Sequence, residues 1–204
     1  MIRKATDLFS EWALLGKDDG MQQNHSNAVE YMLQILTENQ EHPFSFIDAG
    51  CGNGWVVREI LKNHLCKEAI GVDGAKEMIC KAKKIDPNGK YVLSDLIEWK
   101  PKAHVDIVHS MEVIYYLRDP KKLILHMKDE WLKAEGQLIM GLDFYKENLD
   151  CHIWPEDLNT KMTLLSINEW IKLLKSCGLH EVKSYQTNAK DDFIGTLVLY
   201  AKKI

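Results

Sequence analysis

The segment Phe44–Trp55, with the sequence FSFIDAGCGNGW, constrains the fold of this chain more than any other. A short apolar run ends in Asp48, and three glycines follow at every second position, Gly50, Gly52 and Gly54. Glycine lacks a Cβ, so it adopts backbone conformations closed to other residues and lets another group approach the main chain. The pattern predicts a buried strand that ends in a bare turn, with a ligand beside that turn.

Segments of strand and helix character alternate along the rest of the chain. Segments typical of strands are 44–48, 69–73, 91–95, 105–111, 137–143, 181–187 and 193–201, and segments typical of helices are 27–39, 55–65, 75–85, 119–136 and 166–178. Asp119, Pro120 and Gly136 are suited to start and stop the fourth of these helices. This alternation predicts an α/β fold with a doubly wound, mostly parallel sheet of seven strands. The last strand is expected to be antiparallel, because the final connection is too short for a crossover helix.

Composition fits a soluble protein of one domain. The 204 residues are 46% hydrophobic and 27% charged, and the formal net charge of −4 gives no general attraction to nucleic acid or anionic membranes. No apolar run approaches the roughly 18 residues of a transmembrane helix. Five cysteines without a CxxC pair are typical of reduced thiols. We therefore expect a cytoplasmic monomer or dimer. No two histidines stand at metal-ligand spacing, so no metal site is predicted.

Acidic residues mark the ends of the first three predicted strands. These are Asp48, Asp73 and Asp95. An acid at the end of the second strand can accept hydrogen bonds from both hydroxyls of a ribose. A dinucleotide-binding loop would need a third glycine where Trp55 stands, and the Lys-Ser/Thr pair of a phosphate-binding loop is missing. The turn therefore allows a ligand to approach closely but lacks two signatures of phosphate binding.

The motifs IDAGCGNG, GVDG, SDL, VDIVHSMEVIYYL and LKAEGQLIMG resemble those of the class I S-adenosylmethionine-dependent methyltransferases, over about residues 44–142. The resemblance implies a Rossmann-like fold, S-adenosylmethionine as the cofactor and S-adenosylhomocysteine as its product. It implies that the cofactor contacts Asp48, Gly50, Cys51, Gly52, Asn53 and Gly54 at its methionine part, Asp73 and Gly74 at its ribose, Asp95 and Leu96 at its adenine, and Ser110 and Met111 near the methyl group.

The resemblance also divides the single domain, residues 1–204. Residues 1–40 are expected to form a helical lid and 41–142 the cofactor-binding core. Residues 143–165 are expected to form a substrate-side loop, followed by a final helix and hairpin over 166–204.

The substrate side is less specific in sequence. The motif Asp/Asn-Pro-Pro-Tyr of methyltransferases that act on base amines is replaced by HSMEVIYY, which argues against such substrates. The segment VDIVHSMEVIYYL resembles the type-11-like branch of the family, and this resemblance implies a small-molecule acceptor. The residues expected to face the acceptor are Trp12, Lys17, Met21, Tyr115, Tyr116, Asp143 and Tyr145. Glu112 is interpreted either as a cap of the next turn or as a ligand for a polar group of the substrate. His109 is expected to be a buried residue with a structural role, and no catalytic residue is assigned.

Three alternatives stay open at the level of sequence. The first is an RNA or protein methyltransferase of the same fold, which a basic patch around Lys81, Lys83 and Lys84 near the pocket would favour. The second is a non-catalytic scaffold that binds S-adenosylmethionine, and the third is a nucleotide-dependent dehydrogenase. The glycine spacing argues against the dehydrogenase.

Overall fold

The computed structural model describes residues 2–190 and 193–204. The strands are β1 (Phe44–Ala49), β2 (Cys66–Asp73), β3 (Lys90–Leu93), β4 (Val105–Met111), β5 (Leu132–Leu142), β6 (His180–Thr187) and β7 (Thr196–Lys202). The α-helices are α1 (Ala5–Leu14), α2 (Asp18–Thr37), α3 (Trp55–Ile60), α4 (Lys76–Ile85), α5 (Pro120–His126), α6 (Trp154–Asp157) and α7 (Ile167–Ser176). Short 3₁₀ turns span Ile114–Tyr116 and Leu149–Ile153, and a π turn, Met127–Trp131, extends α5.

The seven strands form one sheet in the order β3-β2-β1-β4-β5-β7-β6. The pairs from β3 to β5 are parallel, whereas β7 is antiparallel to both β5 and β6. The predicted Rossmann-like fold is thereby confirmed. The chain runs outward from β1 to β3 and then returns to place β4 on the other side of β1. The crevice beyond the carboxyl ends of β1 and β4 is therefore the topological switch point, where such sheets bind ligands.

Helices cover both faces of the sheet because successive side chains of a strand point to opposite faces. In β1, Phe46 belongs to the apolar cluster beneath α2, α3 and α4, and Ile47 belongs to the cluster beneath α5 and α7. Trp131 and Trp170 anchor the second cluster and are fully buried. Burial on both faces explains why the central strands read as continuous apolar runs.

Helix α7 lies within the segment 166–178, which the sequence predicts as a helix. The Ser166 hydroxyl accepts from the Glu169 N–H at 3.2 Å, and the Glu169 carboxylate accepts from the Ser166 N–H at 2.7 Å. These two bonds form a capping box. Gly178 follows the helix with φ +75°, a left-handed conformation that glycine adopts without strain.

The predicted helix over 119–136 is wrong in its last five residues. Helical structure ends at Trp131, and the next five residues, 132–136, belong to β5. Gly136 therefore does not stop the helix. Leu132 pairs with Val105 of β4 and is fully buried, while the Trp131 indole N–H donates to the Trp99 carbonyl at 2.9 Å. These tertiary contacts override the high helix propensity of the sequence LKAE.

Several other boundaries also differ from the sequence prediction. The helix predicted from residue 27 begins at Asp18, and Gly16, with φ +70°, separates it from α1. The helix predicted over 55–65 ends at Ile60, and β2 begins at Cys66 rather than at residue 69. The last strand begins at Thr196. The segment 143–165, predicted as a long loop, includes a 3₁₀ turn and α6.

Within the described residues, no helix has both the length and the apolar character that crossing a membrane requires.

The turn that contains Gly50, Gly52 and Gly54, the glycine turn, allows its packing to be tested against a glycine in open space. A Cβ at Gly50, where φ is +78°, would lie 2.2 Å from a Val113 methyl group, whereas a Cβ at Gly16, where φ is +70°, would meet nothing within 4 Å. We expect Gly16→Ala to lower the free energy of unfolding by about 1 kcal/mol, because alanine is strained at a positive φ. Gly50→Ala should cost about 1–3 kcal/mol more through overpacking. Urea unfolding measures both, and equal losses would contradict the close packing at Gly50.

Candidate functional site

The glycine turn is attached to the end of β2. The N–H groups of Gly50 and Cys51 both donate to the Val72 carbonyl, at 2.7 and 3.1 Å. The Gly52 N–H donates to an Asp73 carboxylate oxygen at 2.8 Å. Three successive backbone donors are thereby fixed against one strand end, and the turn has a single defined conformation.

The three glycines serve two different purposes. Their φ angles are +78°, +51° and +79°, which favour glycine at each position. A Cβ at Gly50 or Gly54 would collide with protein, in the second case 2.3 Å from the Tyr91 ring. A Cβ at Gly52 would meet only the Met78 sulfur, at 3.8 Å. Gly52 is therefore the point where the turn opens and where a ligand can approach its backbone.

Asp73 lies beside that opening with its carboxylate oriented by the backbone. One oxygen accepts from the Gly52 N–H, and the other accepts from the Ala75 N–H at 2.7 Å. Burial raises the pKa of Asp73 to about 6, against the lowering effect of these two bonds and with a further raising effect from Asp48. The carboxylate is thus short of compensating donors, which the hydroxyls of a ribose can supply.

Asp48 has a partner that the sequence did not indicate. Its carboxylate lies 2.7 Å from Nδ1 of His109 in β4, and both side chains are buried. His109 is buried within the sheet, as predicted. The pair links β1 to β4 directly below the glycine turn, while a contact of Asp48 with the cofactor stays a prediction.

Asn53 joins the turn to the start of α2. Its side-chain amide donates to the buried carboxylate of Asp18 at 2.8 Å. The Lys81 ammonium donates to Asp18 at 2.8 Å and to Asp19 at 3.0 Å. Turn, α2 and α4 are therefore connected through one buried carboxylate.

The remaining predicted cofactor residues lie along the same edge of the sheet. A Cβ at Gly74 would be 2.7 Å from a Thr6 methyl group, so α1 packs directly over this glycine. Asp95 is exposed, and its carboxylate accepts from the Ile97 N–H at 2.8 Å, while Leu96 is half-buried.

Ser110 and Met111 end β4. The Ser110 hydroxyl donates to the Ala49 carbonyl at 2.9 Å, and the Met111 sulfur packs against Gly141 of β5. The side chains of this pair thus support the strand ends, and the backbone is the part that remains for a ligand.

A cavity of about 700 Å³ lies beyond the carboxyl ends of β4 and β5, under α1 and α2. It brings together five of the seven residues predicted to face the acceptor, and these are Trp12, Met21, Tyr115, Tyr116 and Asp143. Trp154, from the segment after β5, also lines it. With Phe193 before β7, the cavity has aromatic walls from four separate parts of the chain.

Two residues predicted for the acceptor side lie elsewhere. The Tyr145 side chain is fully buried, and its hydroxyl donates to the Gly195 carbonyl at 2.6 Å. It therefore supports the start of β7 and does not line the cavity. Lys17 is also outside the lining, with its ammonium 5.9 Å from the centre of the Trp12 ring.

The polar end of the cavity consists of His25, Glu112 and Asp143. His25 Nε2 lies 3.5 Å from an Asp143 carboxylate oxygen. The Glu112 carboxylate accepts from the Tyr115 hydroxyl and from the Asp143 N–H, both at 2.6 Å. Glu112 has φ +58°, and the 3₁₀ turn after it has no side-chain cap. The interpretation of Glu112 as a turn cap is therefore wrong, because its side chain bridges β4 and β5.

Burial and neighbouring charges shift the pKa of Glu112 and the pKa of His25. Burial raises the pKa of Glu112 to about 7, and the nearby charge of Asp143 adds to this effect. For His25, burial lowers the pKa, but the hydrogen bond to Asp143 and the charges of Glu112 and Asp143 outweigh it, so the pKa is raised. A neighbouring carboxylate is among the causes of both shifts, so acidic groups predominate in this cluster.

Sequence reasoning did not select His25. The one available signal was its position four residues after Met21, which places both side chains on the same face of a helix. That signal depends on α2 beginning at Asp18, and the sequence predicted a start nine residues later (27 − 18).

The described geometry agrees with comparisons of sequence. Residues 19–183 match the family model described as a methyltransferase domain. The malonyl-[acyl-carrier protein] O-methyltransferase of Halalkalibacterium halodurans is 26% identical, over 88% of this chain and 75% of that protein. The tRNA U34 carboxymethyltransferase of Tolumonas auensis is 27% identical, over 67% of this chain and 44% of that protein.

Solved structures share the fold. A chain of the complex between the Haloferax volcanii Trm112 methyltransferase activator and a methyltransferase superposes with a TM-score of 0.83, at 23% identity and 99% coverage of both chains. The N-methyltransferase NodS from Bradyrhizobium japonicum, solved with S-adenosylhomocysteine, superposes with a TM-score of 0.69, at 17% identity over 86% of this chain and 85% of that one. Since the family model covers most of the chain and the glycine turn stands at the switch point of the sheet, this protein belongs to the class I methyltransferases, whose cofactor is S-adenosylmethionine.

Proposed function

We propose that this methyltransferase acts on a small molecule that binds in the cavity between α1, α2 and the carboxyl ends of β4 and β5. The observation that carries the proposal is the position of this cavity. Its lining includes Glu112, the residue directly after the predicted cofactor residue Met111. A volume of about 700 Å³ lies within the range typical of sites for small ligands.

We assign the cofactor to the glycine turn. The open backbone at Gly52 and the oriented carboxylate of Asp73 fit an adenosine ligand with an amino-acid tail, and Asp95 offers an acceptor at the next strand end. When bound, S-adenosylmethionine supplies a methyl carbon that is electrophilic because it is attached to a sulfonium. The remaining requirement is positional, since the acceptor atom must be held in line with that carbon.

Residues 1–40 are proposed to act as the lid of the acceptor site. Trp12 of α1 and Met21 and His25 of α2 line the cavity together with Glu112 and Asp143. A lid of this kind excludes water and presses the acceptor against the strand ends. The division of the rest of the chain at residues 142 and 165 stays a prediction.

The names of the relatives point to both small and large acceptors. They include a trans-aconitate 2-methyltransferase of Escherichia coli as well as the tRNA-modifying enzyme. The basic patch that would favour RNA is weakened here, because Lys81 is paired with Asp18 and Asp19. Lys83 and Lys84 lie in the last turn of α4, which packs against β2 and β3, and neither of them lines the cavity. The small-molecule acceptor is therefore favoured.

A cytoplasmic location and a monomeric or dimeric state are part of the same proposal. The five cysteines are free, and four of them are buried, which fits a reducing compartment.

Thermal unfolding tests the cofactor site. S-adenosylhomocysteine at about 100-fold excess over its Kd should stabilise the chain by roughly 2.7 kcal/mol. For a domain of this size the Tm should rise by roughly 5–10 °C. NAD serves as the control ligand and should leave the Tm unchanged. A shift with NAD alone would instead favour the dehydrogenase alternative.

The raised pKa of Asp73 predicts a pH dependence of cofactor binding. The charged carboxylate, which accepts from both ribose hydroxyls, predominates above pH 6 and is lost as the pH falls below it. The ionised fraction therefore falls about tenfold between pH 7 and pH 5, and the Kd for S-adenosylhomocysteine should rise by a similar factor. Asp73→Asn should weaken binding by about 1–3 kcal/mol and remove the dependence. Calorimetric titrations at both pH values measure this, and equal wild-type affinities would contradict the assignment.

The acceptor class is tested with S-adenosylmethionine that carries a labelled methyl group. The protein is incubated separately with a small-molecule filtrate, total RNA and total protein from a cell extract. Label should appear in the filtrate, and label in RNA or protein would contradict the proposal.

Met21→Trp should reduce transfer of the methyl group more than about tenfold by filling the cavity. Leu14→Trp, at a side chain that is 73% exposed and outside the cavity lining, is the matched control.

A further inference from the structure

The polar end of the cavity, formed by His25, Glu112 and Asp143, has the geometry of a ligand set. Each residue offers one donor atom, and the three atoms lie within 4.8 Å of one another. The residues come from three elements, since His25 is in α2, Glu112 follows β4 and Asp143 follows β5. No spacing in the sequence could indicate such a set, and for this reason the sequence predicted no metal site.

The imidazole of His25 is fixed in one tautomer. Its Nδ1 lies 2.8 Å from the Met21 carbonyl, which can only accept, so Nδ1 carries the proton and donates. In the neutral ring, Nε2 then presents a lone pair to the Asp143 carboxylate oxygen 3.5 Å away. A cation between two facing lone pairs stabilises them, and this cation can be a proton on Nε2 or a metal ion. Metal-binding histidines are typically held in this way, with the other ring nitrogen bonded to a backbone carbonyl.

The two carboxylates are oriented by neighbouring groups as well. The Tyr115 hydroxyl and the Asp143 N–H each donate to one oxygen of Glu112, at 2.6 Å. The turn that contains Asp143 is held by the buried Asn148, whose amide donates to the Asp143 carbonyl at 2.8 Å. Such outer bonds keep ligand oxygens in place before an ion binds.

The two carboxylates of the cluster are short of positively charged partners. Asp143 is only 8% exposed, and its Oδ1 is buried without a hydrogen-bond partner. In the described part of the chain, neither Glu112 nor Asp143 forms an ion pair with a lysine or arginine. An unpartnered carboxylate oxygen costs free energy when buried, and a bound cation removes that cost.

We propose that His25, Glu112 and Asp143 bind one divalent cation. One imidazole nitrogen with two carboxylate oxygens is a donor set suited to first-row ions such as Mn²⁺ and Zn²⁺. Three protein ligands leave coordination positions open, as in catalytic rather than structural sites. The inference rests on the proposed function only in that this cavity is the acceptor site. The open positions then select acceptors that present an oxygen or nitrogen ligand to the ion.

The test uses the full chain after treatment with a chelator. Mn²⁺ is titrated at about pH 7.5, because protons compete with the ion for its ligands at lower pH, and the free ion is followed by electron paramagnetic resonance. We expect one saturable site per chain. Glu112→Gln and Asp143→Asn preserve the shape of the side chains and should each weaken Mn²⁺ binding more than about tenfold. His152→Gln is the matched control, because His152 is exposed and outside the cavity lining, and it should bind Mn²⁺ like the wild type.

The same samples separate this inference from the proposed function. The rise in Tm with S-adenosylhomocysteine should be retained in both cavity variants, which also shows that they fold. Absence of saturable Mn²⁺ binding below about 1 mM, the weak end of protein sites for divalent ions, would overturn the cation site. Binding that is unchanged in both variants would overturn it as well. Loss of the wild-type response to S-adenosylhomocysteine would instead count against the cofactor assignment.

Discussion

Two hydrogen bonds to a single carbonyl, that of Val72 at the end of β2, hold the turn on which the site depends. The donors are the N–H groups of Gly50 and Cys51, so the chain that leaves β1 must pass across the end of its neighbour before α3 begins. This path requires left-handed backbone conformations, which the alternating glycines allow. It also turns Gly52 outward beside the Asp73 carboxylate. The opening for a ligand is therefore a consequence of how the turn is attached.

The meeting of the glycine turn with an acidic strand end could be predicted from the sequence because it depends on strand ends. Parallel strands align their carboxyl ends along one edge, so acids that follow separate apolar runs meet there. Asp73 was found in this way, and its bond to the Gly52 N–H fits the expectation. The contact of Asp48 with His109 could not be predicted, because nothing in the sequence indicates which strand lies beside His109.

The acceptor side was harder to predict because it depends on how separate elements pack. Tyr145 follows a strand end as Asp143 does, yet its hydroxyl turns into the core and bonds to Gly195. Leu132 lies in a stretch of helix-forming residues, yet pairing with Val105 makes it a strand residue. In each case a partner distant in the sequence decides the outcome, and local propensity cannot report such a partner.

Helix α2 connects the two halves of the site through one rigid element. Its first residue, Asp18, bonds to Asn53 in the glycine turn, and His25 reaches the cavity about two turns later, roughly 10 Å along the axis. Further on, Met32 is fully buried against Gly141 of β5. A helix held at its start and in its middle cannot move at one of these points without moving or bending at the other. The groups at the glycine turn and the groups at the cavity are therefore placed by a single helix, and the separation between the two is set by its rise of about 1.5 Å per residue.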